Sequence, residues 1–437
     1  MVEIVSGDRV LIIVPHPDDE TVGCGGIIQR AKEVKAKIRL VYLTYGDANE
    51  WSFIKSNRFM LPTIFPSSVK KMGQKRHDEA LAASTTLGLS PEEIYFLGYP
   101  DFSTLRIWYK HWNHTEPATG LITRASKVPY DNAYRPGAPF KGEEILQDIK
   151  TMIHDFQPTK VFTSHRLDFN PDHQALYLYV RVALWDLNLE IRPEFYPFLT
   201  HYKAWPQPRD LHPDLPLEPP NILIEEMDWH SFKLQPAEIK IKEKALRHHE
   251  TQIAATPGYL LAFIKRNELF GDYRLKLLKS EMDEIHQIGL HYHLREFHGV
   301  DREDTHETPE IEFIGLDDHS ILFEDNNLIE TVHLTKKFGL DAIVTFYIFS
   351  YCFTKEFKKQ PKYRIKIGRR HIQVFNLDKE VQESGIQLLR DKQEQLLELK
   401  FPLHLLGSPD ILLINVRSEV NNQLIDWVPW RIISMGQ

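Results

Sequence analysis

The apolar run Val10-Leu11-Ile12-Ile13-Val14 stops at Pro15, and the next five residues are His16-Pro17-Asp18-Asp19-Glu20. A short apolar run with no polar alternation reads as a strand buried on both faces, as in parallel sheets. Thr21 to Ala36 then reads as a helix, with glycines near its start at Gly23, Gly25 and Gly26. A histidine and two aspartates therefore occupy the turn between a buried strand and the following helix. In open α/β sheets that carboxyl edge is where ligands bind. Imidazole and carboxylate at this spacing suit a borderline-soft divalent ion, and a second aspartate beside them is placed to move protons. The plain alternative is a turn whose Asp19 merely caps the helix.

Strand and helix patterns keep alternating. Ile38–Thr44, Glu93–Leu97 and Lys160–Thr163 read as strands; Lys71–Leu87, Glu143–Phe156 and Asp172–Leu187 read as helices. That order predicts a Rossmann-like α/β domain, a mostly parallel sheet with helices on both faces. Two long irregular stretches interrupt it, Trp51–Val69 and Asp101–Gly142. The second carries Trp108, Tyr109, Trp112, Tyr130 and Tyr134, which either pack on the domain or stack on sugar rings. Trp205–Pro220 is proline-rich and reads as an extended surface segment, and Lys240–Ile285 reads as a return to helix.

From about Pro309 onward, short alternating segments dominate: Ala342–Phe353, Tyr363–Ile367, Glu398–Phe401 and Ile411–Val416, with one helical pattern near Leu388–Leu396. The expected organisation is a catalytic domain over 1–295, a charged linker over 296–310 and an all-β, sandwich-like domain over 311–437. His286, His291, His293 and His298 lack strict ligand spacing and read as solvated linker.

A length of 437 residues exceeds what one core usually organises. The formal net charge of -8 argues against nucleic acid as a partner. Cys24 and Cys352 lie too far apart to suggest a disulfide framework and read as core residues. No signal peptide or spanning segment is evident, so the expected location is cytoplasmic. The expected partner is a small-molecule or glycan substrate, and self-association is left open.

A catalytic zinc takes three protein ligands and keeps a fourth position for water. The third ligand should leave the carboxyl edge of another strand. Val161–Thr163 is followed by Ser164-His165-Arg166-Leu167-Asp168-Phe169-Asn170-Pro171-Asp172-His173, with His173 at a helix start. His16, Asp19 and His173 then make a set suited to Zn2+, or another divalent ion such as Fe2+, with Asp18 free as general base.

Further elements extend the pattern: Arg76-His77-Asp78-Glu79-Ala80, Gly98-Tyr99-Pro100-Asp101, and Ala245-Leu246 through His249-Glu250-Thr251-Gln252. With the His16–Glu20 turn and the Asp172-His173 pair, this resembles the PIG-L/LmbE-like zinc-dependent de-N-acetylases over about residues 8–275. The resemblance implies His16, Asp19 and His173 as metal ligands, Asp18 as base, and Arg76 and Asp101 lining the substrate site. Many members carry a histidine three residues before the last ligand, where this chain has Asn170. An amide can donate to an oxyanion but cannot shuttle a proton. Either Asp18 makes both proton transfers, or His165 reaches into the substrate site. The implied activity is metal-assisted hydrolysis of an N-acetyl group on an amino sugar or N-acetylglucosamine-containing glycoconjugate.

Two rival readings stand beside it. One is a metal- and sugar-binding protein whose catalysis is impaired at Asn170. The other is a nucleotide-binding protein with Asp47 as ribose partner, although Gly23-Cys24-Gly25-Gly26 lacks the spacing of a phosphate loop. Close helix–sheet packing is the alternative reading of those glycines. Leu397–Leu403 and Trp427-Val428-Pro429-Trp430 resemble short stretches of certain carbohydrate-binding sandwiches.

Overall fold

The computed structural model describes residues 2–48, 66–112, 116–190, 192–273, 276–278, 285–288, 315–336, 341–391, 395–421 and 423–435. The irregular stretch at Trp51 thus lies almost wholly outside the described residues, as does the charged linker. The chain forms two compact units, Met1–Arg274 and Leu275–Gln437.

In the first unit β1 (Arg9–Val14), β2 (Lys37–Thr44), β3 (Ile94–Tyr99), β4 (Lys160–Ser164) and β5 (Glu194–Phe198) form one sheet in the order β3-β2-β1-β4-β5. All its pairings are parallel. Val10 to Val14 have no solvent exposure, which accounts for a run without a polar residue. Two helix groups lie against this sheet: α1 (Asp19–Glu33), α2 (Pro66–Thr86) and α6 (Pro236–Leu246) pack together, and α4 (Gly142–Phe156) packs on α5 (Pro171–Leu187). The strand order reverses between β1 and β4, which pair in the register Val10↔Lys160 to Ile13↔Thr163. Such a switch point opens a crevice at the carboxyl ends of the two strands.

Helix α1 sits unusually close to its neighbours. A Cβ added at Gly26 would lie 2.0 Å from Leu234 Cδ2, and one at Gly23 would lie 2.5 Å from the Phe198 ring. The glycines therefore serve close packing. A buried ion pair, Lys242 Nζ to Glu268 Oε1 at 2.7 Å, reaches into the helix. Lys242 donates to the Val22 carbonyl, and Glu268 accepts from the Gly26 and Ile27 amides.

Two segments of this unit differ from the sequence reading. Asp101–Gly142 contains a short helix, α3 (Thr104–Tyr109), and buries Trp108, Tyr109, Trp112 and Tyr130, leaving only Tyr134 of the five exposed. Those four rings are core, so packing accounts for them rather than sugar stacking. The helix expected over Lys240–Ile285 ends early. After α6 come the short α7 (Glu250–Ala255) and α8 (Pro257–Leu261), because Pro257 bars Thr256 from continuing a helix. Asn267–Tyr273 is instead a strand, antiparallel to Met227–Lys233. The proline-rich segment lies largely at the surface, as read, and is anchored by Trp205, which is buried and donates to the Glu218 carbonyl.

The second unit is two sheets sharing one apolar core. A five-stranded sheet includes Leu316–Glu324, Asn327–Leu334, Gln387–Asp391 and Leu396–Pro402; a seven-stranded sheet is built around Ala342–Tyr351, Lys362–Gly368, Ile411–Val420 and Gln423–Met435. Val332 and Leu399 of one sheet join Val344, Ile365 and Ile414 of the other in that core. Lys276–Leu278 and Ile285–Ile288, placed by sequence in the first domain, pair within these sheets. Where a helix was expected at Leu388–Leu396, the described residues up to Asp391 are strand, antiparallel to the strand that begins at Leu396, with Leu388 packed on the core and Leu389 exposed on the opposite face. Trp427 and Trp430 are both buried.

Candidate active site

The turn after β1 is fastened before any side chain enters the crevice. The Pro15 carbonyl accepts from the Thr44 amide at the end of β2, and the His16 amide donates to Asp19 Oδ2 at 3.1 Å. His173, in the first turn of α5, comes in from the carboxyl end of β4. The result is a triangle of three donor atoms. His16 Nδ1 to Asp19 Oδ2 is 3.3 Å, Asp19 Oδ2 to His173 Nε2 is 3.2 Å, and His173 Nε2 to His16 Nδ1 is 3.3 Å. Ligands about 2.0–2.1 Å from a tetrahedral ion stand about 3.3 Å apart, so this triangle has the size Zn2+ requires. All three side chains are buried.

The remaining ring nitrogens face carboxylates. His16 Nε2 lies 3.0 Å from Asp101 Oδ1 and 3.2 Å from Asp172 Oδ2. His173 Nδ1 lies 3.2 Å from Asp168 Oδ2. This carboxylate–histidine arrangement fixes the tautomer that leaves Nδ1 of His16 and Nε2 of His173 free to bind metal. The carboxylates are themselves held. Asp101 accepts from the Ala48 and Phe102 amides, and Asp172 from the Phe102 and Thr104 amides. Asp168 accepts from the amides of Asn170, Thr200 and His201, and from His201 Nδ1 at 2.9 Å.

Asp18 stands beside the triangle, its side chain 14% exposed and 3.7 Å from Arg76. Burial and the neighbouring Asp19 raise its pKa to about 6, against the opposing pull of Arg76, His249 and His16. Burial works against Asp19 too, but His173 and His16 hold its carboxyl well below the usual range. Burial would lower His173, yet Asp168 and Asp19 raise it to about 9.

Arg76 is buried and donates to the Gly46 and Pro17 carbonyls, tying the turns after β1 and β2 together. Glu79, one turn along α2, accepts from the Thr251 amide and hydroxyl. Neither is a surface residue. Asn170 caps α5, its side-chain oxygen accepting from the Asp172 amide, so its two amide hydrogens are its remaining capacity. His165 does not join the donor triangle. Its buried ring faces Tyr177 and Tyr273 and lies 3.8 Å from Asp272, and burial lowers its pKa to about 4.

Sequence reasoning gave no role of their own to Asp168, Glu20 and His249, which stand within the quoted motifs, and did not single out His201. Asp168 carries a signal, since each metal-binding histidine wants a carboxylate on its other nitrogen. His201 follows β5, a strand not read from the sequence.

Residues 11–184, within the first unit, match the family model of the GlcNAc-PI de-N-acetylases, PIG-L. Among similar proteins is the 1D-myo-inositol 2-acetamido-2-deoxy-alpha-D-glucopyranoside deacetylase of Nocardioides sp. (strain ATCC BAA-499 / JS614), 22% identical over 311 residues that cover 64% of this chain and 96% of that protein. Similar solved structures include the A40926 pseudoaglycone deacetylase Dbv21, at 16% identity and TM-score 0.38, covering 62% of this chain and 99% of that one. Another is the N,N'-diacetylchitobiose deacetylase of Pyrococcus horikoshii, at 18% identity and TM-score 0.32, covering 56% and 70%. Among the described residues no helix is long and apolar enough to cross a membrane.

Proposed function

We propose that this chain is a zinc-dependent hydrolase that removes the N-acetyl group from an N-acetylglucosamine-type sugar or glycoconjugate. The observation that carries the reading is the buried donor triangle of His16, Asp19 and His173 with the Asp18 carboxylate beside it. The PIG-L match over that stretch and the deacetylase relatives support it.

His16, Asp19 and His173 would hold the metal. When bound, Zn2+ lowers the pKa of water and polarises an amide carbonyl. Asp18 then takes a proton from the attacking water, while the oxygen of that water bonds to the acetyl carbon. Asn170 offers its amide hydrogens to the developing oxyanion. As the carbon–nitrogen bond breaks, Asp18 returns its proton to the departing amine nitrogen, giving acetate and a free amino sugar. His165, with a pKa pushed to about 4, is a poor proton donor at neutral pH, which leaves Asp18 to make both transfers. Arg76 and Asp101 act through the loops they fasten, because their polar atoms are spent on backbone groups and His16.

The test is amine release by the purified, zinc-loaded protein from N-acetylglucosamine, N-acetylglucosaminyl-inositol and N,N'-diacetylchitobiose. Release with about one zinc per chain, abolished by Asp18→Asn with zinc retained, is the expected outcome. Normal rates in Asp18→Asn would overturn the assignment of the base. Zinc without release from any substrate would favour a binding protein.

A further inference from the structure

We infer that His249, from the far end of the first unit, is a positioning residue for Asp18. It acts through the side chain of Glu20, and the inference rests on the reading of Asp18 as the base. Asp18 has φ 125° and ψ -32°, a conformation that L-residues seldom adopt and that surrounding contacts must impose. Every backbone group around it is occupied. Its amide donates to Glu20 Oε2 at 2.9 Å, its carbonyl accepts from the Thr21 and Val22 amides, and the Pro17 carbonyl accepts from Arg76 at 2.7 Å.

The Glu20 contact is the one that is itself built from elsewhere. Glu20 has no solvent exposure, and its other oxygen accepts from Thr21 Oγ at 2.6 Å and His249 Nε2 at 2.8 Å. His249 is equally buried and precedes α7, more than 200 residues along the chain. The neighbouring Thr251–Glu79 bonds lock α7 to α2, the helix that supplies Arg76. Two helices thus converge on one strained residue, Arg76 on the peptide before it and His249, through Glu20, on its amide. A buried carboxylate deprived of its imidazole donor would rotate or recruit another group, releasing the Asp18 amide. The base would then lose its orientation while the metal donors stay fixed by Asp101, Asp172 and Asp168.

Two variants separate this role from general packing. Glutamine places its amide nitrogen near the position of imidazole Nε2, whereas asparagine places it near Nδ1, out of reach of Glu20. Both keep a polar side chain of moderate size in the cavity. His249→Asn is expected to speed hydrogen exchange in the peptide spanning Asp18, to keep one zinc per chain, and to lower kcat about 10–100-fold with KM unchanged. His249→Gln is expected to restore most of both readouts. On an Asp18→Asn background, His249→Asn should cost nothing further. Unchanged exchange around Asp18 in His249→Asn, or equal loss in the Asn and Gln variants, would overturn the inference. The exchange readout needs no substrate. Failure of the base assignment would show separately, as normal turnover in Asp18→Asn.

Discussion

Asp168 is the residue on which the proposed metal donors depend most unevenly. Two oxygens serve five donors: the amides of Asn170, Thr200 and His201, His201 Nδ1, and His173 Nδ1. Asp168→Asn keeps the shape and removes one acceptor. If the remaining oxygen stays with Asn170 and the His201 ring, the new amide group faces two backbone N–H groups and His173 Nδ1. Relief comes by moving the His173 proton to Nε2, the nitrogen that must be bare to bind metal. Losing such an outer carboxylate typically costs 10–100-fold in metal affinity, about 1.4–2.8 kcal/mol. Two buried amides left without an acceptor cost about 1–3 kcal/mol each in stability. His16 provides the control, because Asp101 and Asp172 share its Nε2. Asp101→Asn leaves one carboxylate in place and should weaken zinc less than Asp168→Asn does. Competition with a chromophoric chelator measures both affinities, and thermal unfolding of the metal-free protein measures the stability change. Zinc affinity in Asp168→Asn within twofold of the unaltered chain, with His173→Ala losing zinc, would refute the tautomer argument.

Lys242→Met should cost about 3–5 kcal/mol of stability in the first unit by stranding the Glu268 carboxylate. The double change Lys242→Met with Glu268→Gln should recover part of that, as denaturant unfolding would report; a cost below about 1 kcal/mol would count against the pair's role. In the metal-free chain Asp168 and Asp19 raise His173 to about 9 against its burial, so at neutral pH its Nε2 would carry a second proton, beyond the one that Asp168 keeps on Nδ1, and metal must displace it. Zinc affinity should therefore rise with pH up to about 9, about tenfold per unit for each proton displaced. Calorimetry in two buffers of different ionisation enthalpy measures that release, and none at pH 7 would contradict the assignment.

The legible parts of the molecule were those written in local pattern. The Val10–Val14 run, the polar turn after it and the helix opening at Pro171 needed only a window of a few residues, so β1, α1 and α5 could be placed from sequence, and with them the three side chains that converge as the donor triangle. Asp101 was legible as part of the site, but its contact with His16 depends on the loop that folds back through Phe102 and Thr104. Glu20 was legible as the last residue of the polar turn, but its bond to His249 was not, because that partner lies 229 residues along the chain. The strand Asn267–Tyr273 was hidden for a related reason. Its Glu268 is a charged residue in a buried strand, tolerable only beside Lys242 and the Gly26 amide. The sandwich leucines at 388 and 389 were misread because adjacent apolar residues fit a helix as well as a strand with one exposed face.

The donor triangle joins residues 157 positions apart in sequence across two neighbouring strands. Those donors meet only when β1 and β4 have already paired, a non-local and therefore slow step of folding. An ion at the proposed site would thus be a late participant. It would have little to grip in the unfolded chain and would bind once the central sheet exists. Its stabilisation, about 1.4 kcal/mol for every tenfold excess over its dissociation constant, should then slow unfolding and leave the refolding rate nearly unchanged. Zinc held at the proposed site would act as a latch on a finished sheet, and the lifetime of the folded state would become a measure of how much metal its surroundings supply.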